Sequence, residues 1–289
     1  MNKRKEPYLE LLNLVKSYQS NSIFKGESIS FYNGTTLLAG PNGAGKSTLI
    51  KLILGLISAN SGEIRLFGRD ISKTGLNLQE KKKVGLQLQN DSFLKAVKVS
   101  EYIELYQRLY GITSERYSIE KIRDILSIDQ LLGRYAFNLS GGEKKKVSLF
   151  LALIGDKDLI ILDEPTAGID VEVKVKIIEV LNYLCSKGIN IIVSSHDLED
   201  FFENSDHLLL INRGKIFEGD EIDFLKKFKN VFKVEYSDAL SKKFSREKTN
   251  LFGKYFLLLT EQECSQIPET LKMELTVKDY YFLLINGGV

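Results

Sequence analysis

The sequence is short of cysteine, with only Cys185 and Cys264 among 289 residues. They lie far apart and match no metal-ligand or redox spacing, which excludes a disulfide scaffold and points to a reduced, cytosolic compartment. Long apolar runs are missing as well. Nothing approaches the roughly 20 residues needed to span a bilayer, so work at a membrane requires spanning helices from another chain. The opening MNKRKEPYLE is charged and has no apolar core, which predicts no secretory leader. Neither sign of charge dominates: 40 basic against 38 acidic residues leave +2, a balance that argues neither for nor against a nucleic-acid partner. There is no internal repeat, no low-complexity segment and no sustained heptad. What remains is ordinary soluble globular composition, 43% apolar and 27% charged. The length suits one large α/β domain with a small appendage.

Residues 36–50, TLLAGPNGAGKSTLI, organise the rest. An apolar strand leads into Gly40, Pro41, Asn42, Gly43, Ala44, Gly45, Lys46, Ser47 and Thr48, and a second apolar run follows. This is G-x-x-x-x-G-K-[ST] between a strand and a helix, the phosphate-binding loop. Its glycines let successive N–H groups turn inward towards phosphate oxygens, and the loop ends at a helix N-terminus that favours an anion. Lys46 is placed to reach the β- and γ-phosphates and Ser47 to offer its hydroxyl to Mg²⁺.

Upstream, residues 9–15 and 29–32 read as strands, with Asn33-Gly34 as a turn. Residues 47–57 read as helix, and 64–67 and 84–88 as strands. From 91 to about 155 the pattern turns helical, with apolar residues at helical spacing over 99–109 and 119–126 and breaks at Gly111 and Gly133. Residues 159–162 and 189–193 are continuous apolar runs that suit strands buried on both faces of a parallel sheet, and 171–185 fits a crossover helix between them. The first of these runs delivers Asp163 and Glu164 at its C-terminal end, where ligands bind in open α/β sheets. Asp163 suits Mg²⁺, and Glu164 suits the task of deprotonating an attacking water. Leu139, Ser140, Gly141, Gly142 and Glu143 precede a helix expected from about Lys144, a second anion-binding device. After Asp220 the sequence becomes lysine- and phenylalanine-rich and carries no nucleotide motif. That predicts a boundary, with a nucleotide-binding domain over 1–220 and an accessory domain over 221–289. Lys226, Lys227, Lys229, Lys233, Lys242 and Lys243 with Phe224, Phe228 and Phe232 admit two readings: a basic patch for membrane or nucleic acid, or an amphipathic element with its rings in a small core. T-x-x-D at Thr276 predicts a final helix.

Together these pieces resemble the nucleotide-binding subunit of ABC (ATP-binding cassette) transporters over about residues 8–219. GPNGAGKST at 40–48 resembles Walker A, and LIILDEP at 159–165 resembles Walker B with its glutamate. LSGGE at 139–143 is similar to the signature LSGGQ, AGID at 167–170 to the D-loop, and SSHD at 194–197 to the switch histidine. The resemblance implies an α/β P-loop NTPase fold of ABC type, with a parallel-sheet core, an antiparallel β subdomain and a helical subdomain, plus a small C-terminal accessory domain. It implies ATP and Mg²⁺ as cofactors and a head-to-tail dimer, homo- or heteromeric, that sandwiches two ATP molecules. In that dimer Leu139, Ser140, Gly141, Gly142 and Glu143 complete the site of the opposite subunit. His196 inherits a contact to the γ-phosphate, and Asp170 contact across the dimer. Tyr18 inherits stacking on adenine, with Tyr8 as the alternative. Gln89 inherits an approach to Mg²⁺, with Gln87 as the alternative. The metal set is therefore Ser47, Gln89 and Asp163. Lys144, Lys145 and Lys146 stand where the family usually carries an Arg in a mixed stretch, which puts a bidentate pair there in question. A solvated face is the plain reading of the run.

The expected partner is an integral membrane permease from another chain, with the ATPase cytoplasmic and peripheral on the inner face of the membrane. No nucleic-acid partner is expected. The ending LTVKDYYFLLINGG is similar to exporters of the drug and peptide class. The rival reading is a soluble ABC-type ATPase acting on ribosomes or DNA. Against it stand the single cassette and the interval from Ser47 to Leu139, too short for a long coiled coil.

Overall fold

The computed structural model describes residues 6–19, 21–89, 92–111, 114, 116–196, 200–212, 215–219, 231–251, 254–276, 279 and 281–283. The chain divides into two compact units, Met1–Glu218 and Gly219–Val289.

In the first unit, β1 (Leu9–Tyr18) and β2 (Asn21–Phe31) form an antiparallel hairpin. Leu9 and Leu11 alternate into the core, but at Asn13 the pairing register shifts and the residue takes φ +50°. The bulge resets the phase, so that Leu14 is buried too. After β3 (Thr35–Ala39) comes α1 (Lys46–Ile53). This helix ends four residues before the expected 57, because Gly55 adopts φ +66° and turns the chain out. Next come β4 (Ser61–Leu66), β5 (Arg69–Asp70), α2 (Leu78–Lys83) and β6 (Val84–Gln87). The sheet order β2-β1-β4-β5 gives the antiparallel layer. Its buried Phe24, Ile29 and Phe31 share one core with Leu49, Ile50 and Ile53 of α1.

The helical stretch holds α3 (Val99–Tyr110), α4 (Ile119–Ile125) and α5 (Gly141–Ala152). Helix α5 begins three residues earlier than the expected Lys144. Ser140 accepts from the Glu143 N–H at 3.3 Å and Glu143 accepts from the Ser140 N–H at 2.8 Å, a capping box that offsets the poor helix propensity of the two glycines. Then follow β7 (Leu159–Asp163), α6 (Val171–Ser186), β8 (Asn190–Ser195), β9 (His207–Asn212) and β10 (Lys215–Gly219). These close the central sheet in the order β10-β9-β3-β8-β7-β6, parallel from β9 through β6. Every residue of β3, β7 and β8 is buried, as strands covered on both faces require. Lys157, at the opposite edge from the strand ends described below, is 2% exposed. Its ammonium bonds the Lys82 carbonyl at 2.9 Å and lies over the Tyr110 ring, and burial pushes its pKa down to about 8.

The second unit is a sheet of order β12-β13-β11-β14, built from β11 (Val231–Glu235), β12 (Thr249–Leu251), β13 (Lys254–Thr260) and β14 (Met273–Glu274), with helices α7 (Asp238–Phe244) and α8 (Glu261–Cys264). Its small core is Val234, Leu257, Leu259, Cys264 and Ile267, with Phe232 and Phe244 packed against it. Phe232 thus takes the core reading. The expected boundary at 220, and Phe224, Lys226, Lys227, Phe228 and Lys229, lie outside the described residues. Thr276 and Asp279 cap each other, the Asp279 N–H donating at 3.2 Å and the Thr276 N–H at 2.7 Å, and 281–283 are helical.

Candidate nucleotide site

Four adjacent parallel strands end together. Ala39 of β3 pairs with Ser195 of β8, Ser194 of β8 with Asp163 of β7, and Leu162 of β7 with Gln87 of β6. The loops that begin at Gly40, His196, Glu164 and Leu88 therefore emerge side by side on one edge, the crevice where open α/β sheets bind ligands.

The loop after β3 is held close to its neighbours. A Cβ on Gly40 would stand 2.3 Å from the Ile211 carbonyl oxygen of β9. Gly45 sits at φ +114°, and a Cβ there would stand 2.7 Å from the Ile23 side chain. No side-chain-bearing residue fits either place. Lys46 is 6% exposed, and its Nζ donates to the Gly40 carbonyl at 2.6 Å. It also stands 3.5 Å from Glu164 Oε1. Burial lowers the pKa of this ammonium, opposed by Glu164 and then Asp163.

Glu164 is 5% exposed and adopts φ +53°, a left-handed conformation that costs a non-glycine residue of order 1 kcal/mol or more. Its N–H donates to the Ser194 hydroxyl at 3.0 Å, and that hydroxyl donates to Asp163 Oδ1 at 2.5 Å. Its other carboxylate oxygen, Oε2, lies 2.5 Å from His196 Nδ1. The backbone strain therefore aims the carboxylate between one ammonium and one imidazole. Ser194 opens the SSHD motif, but the sequence alone gives it no task. Its place beside two acids becomes visible only when β7 and β8 pair.

A pocket of about 460 Å³ is lined by Tyr18, Ile23, Pro41, Asn42, Gly43, Gly45, Lys46, Ser47, Thr48, Gln89 and Glu164. The members of both pairs of alternatives lie in different surroundings. Tyr18 is at the pocket and 45% exposed, whereas Tyr8 is 6% exposed and stacks on Phe67. Gln89 is at the pocket, whereas Gln87 is 1% exposed and donates to the Lys145 carbonyl. Asp163 is buried just beneath the lining, on Ser194.

The signature residues lie apart from this pocket. Leu139 is buried, Ser140 is exposed at the cap of α5, and Glu143 also pairs with Arg134 at 2.5 Å. Burial pulls the Glu143 carboxyl upward, but the Ser140 N–H and Arg134 together hold it below the usual range. Asp170 caps α6 by accepting from the Val173 N–H at 2.9 Å. A Cβ on Gly142 would stand 3.6 Å from its carboxylate, so the signature and the start of α6 face each other. Asp197, the last residue of SSHD, lies outside the described residues.

A family model described as "ABC transporter" matches residues 24–167. Among curated proteins, the chain is 32% identical over 237 residues to the energy-coupling factor transporter ATP-binding protein EcfA1 of Fusobacterium nucleatum, covering 77% of this chain and 89% of that one. It is 31% identical over 215 residues to the Nod factor export ATP-binding protein I of Cupriavidus metallidurans, covering 73% and 70%. It spans 30% of the much longer ABC transporter G family member 20 of Dictyostelium discoideum, with 30% identity. A solved ATP-binding cassette of an ABC transporter in its ADP conformation superposes with TM-score 0.64 and 28% identity, over 77% of this chain and 94% of that one. Motif spacing, strand register and these likenesses agree, and the chain belongs to the ABC transporter family as an ATP-binding, ATP-hydrolysing subunit.

Proposed function

We propose that this subunit hydrolyses ATP in the pocket beside α1 and uses the resulting dimer cycle to drive a membrane permease, with export as the direction. The observation that carries the reading is Glu164, a buried carboxylate held between Lys46 and His196 at the wall of the phosphate-loop pocket. In this reading the loop N–H groups and Lys46 bind the β- and γ-phosphates. Glu164 takes the proton of the attacking water, and His196 contacts the γ-phosphate. Tyr18 stacks on adenine. Ser47, Asp163 and Gln89 are hard oxygen donors with one carboxylate among them, which suits Mg²⁺, an ion that keeps several waters and leans on substrate phosphate. When bound, Mg²⁺ neutralises charge developing on the phosphates.

Ser140, Gly141 and Gly142 serve the opposite subunit, homo- or heteromeric, and none of them lines this chain's own phosphate-loop pocket. The permease docks at a cleft of about 270 Å³ next to the Gln89 loop, lined by Leu86, Leu88, Phe93, Tyr102, Tyr106 and Leu151. Among the described residues no helix is long and apolar enough to cross a membrane. In this reading the permease is a separate chain and this subunit is peripheral on the cytoplasmic face. The Nod factor relative, named for export, supports the direction, as does the C-terminal sequence. In this reading the sequence motifs of the ATP site all lie before residue 220.

The test is the dimer. With a non-hydrolysable Mg·ATP analogue the chain is expected to shift from monomer to dimer by size-exclusion chromatography with light scattering. Gly141→Arg is expected to abolish the shift, since a Cβ at Gly141 meets nothing within its own subunit and the cap stays intact. Ser140→Arg is expected to do the same with loss of the cap. A dimer that survives both removes the signature from the interface.

Tyr18→Ala is expected to raise the nucleotide dissociation constant, as ring stacking on a base is worth roughly 1–3 kcal/mol in nucleic-acid complexes. Tyr18→Phe should be nearly neutral in the same fluorescence titration. Equal losses for both would mean that the hydroxyl, not the ring, matters.

A further inference from the structure

The lysine run after the signature, read from sequence as a solvated face, does not stay in water. Lys145 is 7% exposed. An ammonium is costly to bury unless it finds acceptors, and Lys145 Nζ donates to the main-chain carbonyl of Gln89 at 2.7 Å. The Lys145 carbonyl accepts in turn from Gln87 Nε2 at 3.1 Å. The second residue of the run is thus bonded through its main chain to the end of β6 and through its side chain to the loop that follows. Gln89 belongs to two cavities. One is the phosphate-loop pocket, and the other, of about 230 Å³, is lined with it by Gly141, Lys144, Lys145, Ala167, Gly168 and Ile169. Lys145 stands five residues along from Ser140, the cap of the same helix.

We infer that Lys145 is a positioning residue for Gln89: its ammonium anchors the Gln89 main chain, and so fixes where the Gln89 side chain stands at the nucleotide pocket whenever α5 moves. The inference rests on the reading of Gln89 given above. A main-chain carbonyl needs one donor on a long stem, not the planar fork of a guanidinium. Coupling of this kind is reciprocal, so nucleotide that draws Gln89 inward also draws on the signature helix.

The experiment is a double-mutant cycle in the full chain, read by steady-state phosphate release against ATP and Mg²⁺ concentration, with nucleotide binding and thermal unfolding measured alongside. Lys145→Met keeps the stem and removes the donor. It is expected to lower kcat about tenfold or more and to raise the Mg²⁺ concentration needed for half-maximal rate, with the nucleotide dissociation constant within about twofold. Lys145→Arg, which keeps a donor, should recover part of the loss. Gln89→Ala should lower kcat likewise, and the double variant should be no worse than Gln89→Ala alone, because residues acting as a unit are non-additive. If Lys145→Met loses the fold, Lys145→Gln tests instead whether a shorter, uncharged donor can hold the Gln89 carbonyl, and the same loss of kcat with nucleotide affinity kept is expected. A Lys145→Met enzyme with normal kcat and Mg²⁺ dependence overturns the inference while Gln89→Ala still impairs turnover. Additive losses in the cycle also overturn it. Parallel losses of melting temperature, nucleotide affinity and rate in Lys145→Met and Lys145→Gln would reduce Lys145 to a packing residue. A harmless Gln89→Ala would instead locate the failure in the role of Gln89 itself.

Discussion

Glu164→Gln is expected to lower ATP turnover by about 10²–10⁴, or roughly 3–5 kcal/mol of barrier, in a steady-state phosphate-release assay. The substitution is conservative in every respect but one. Glutamine has the same length, keeps an acceptor oxygen for Lys46 or His196, and meets the same backbone cost at the φ of +53° already paid by glutamate. What it lacks is the capacity to take a proton. Removing the carboxylate also removes the largest influence that opposes desolvation of the Lys46 ammonium, so proton affinity at Lys46 should fall somewhat. ATP binding nevertheless persists, because the loop N–H groups, Ser47 and Asp163 are unchanged. The variant should therefore bind nucleotide and accumulate as an ATP-bound dimer that hydrolysis cannot open. Near-normal turnover would take Glu164 out of the chemistry.

Lys46→Ala should act earlier in the cycle. The ammonium is the only lysine that lines the phosphate-loop pocket among the described residues, and it sits at the loop's own carbonyls and 3.5 Å from Glu164. Alanine removes that charge from the β- and γ-phosphates and leaves the buried Glu164 carboxylate facing His196 alone. Turnover should drop by about a hundredfold or more, near 3 kcal/mol, and nucleotide affinity should fall with it. The contrast with Glu164→Gln is the useful part: one variant loses binding and turnover, the other turnover only. Turnover within twofold of wild type would sink the assignment of the phosphate loop.

The parts of this site that were legible in the sequence are those whose geometry is local. Residues 40–47 specify their own turn, and the apolar run 159–162 delivers Asp163 and Glu164 wherever the strand sits. Alternatives stayed open where the answer depends on phase. Tyr8 and Tyr18 are an even number apart along one extended stretch, yet the register shifts in β1 send the first into the core and leave the second at the pocket. Gln87 ends β6 in the core and Gln89 lies beyond the strand, a difference of two residues that spacing alone does not resolve. Helix α5 starts at Gly141 because a capping box outweighs two glycines, although Ser140 and Glu143 carry the cap's spacing openly. Strands β5 and β9 to β14 have no counterpart in the sequence reading, nor have α7, α8 and α2, whose LQEKKK has no buried residue. Ser194 and Lys145 acquire their partners only through contacts between β8 and β7 and between α5 and β6, which no local pattern announces.

The place of β3 in the central sheet also governs how the chain can be made. This strand carries the phosphate loop, yet its neighbours are β8 and β9: Thr35 pairs with Ile191, and its N–H bonds the Asp206 carboxylate 171 residues further on. A nascent chain emerging N-terminus first holds five wholly apolar or small residues, TTLLA, without partners until nearly the whole first unit has left the ribosome. Closing a loop of that length is entropically slow, and an unpaired buried strand is the kind of surface that associates wrongly in the interval. The ATP site therefore cannot form before β8 is made, although its defining motif is synthesised first, and nascent chains cut short before β8 carry the complete phosphate-loop sequence without a neighbouring strand to hold it.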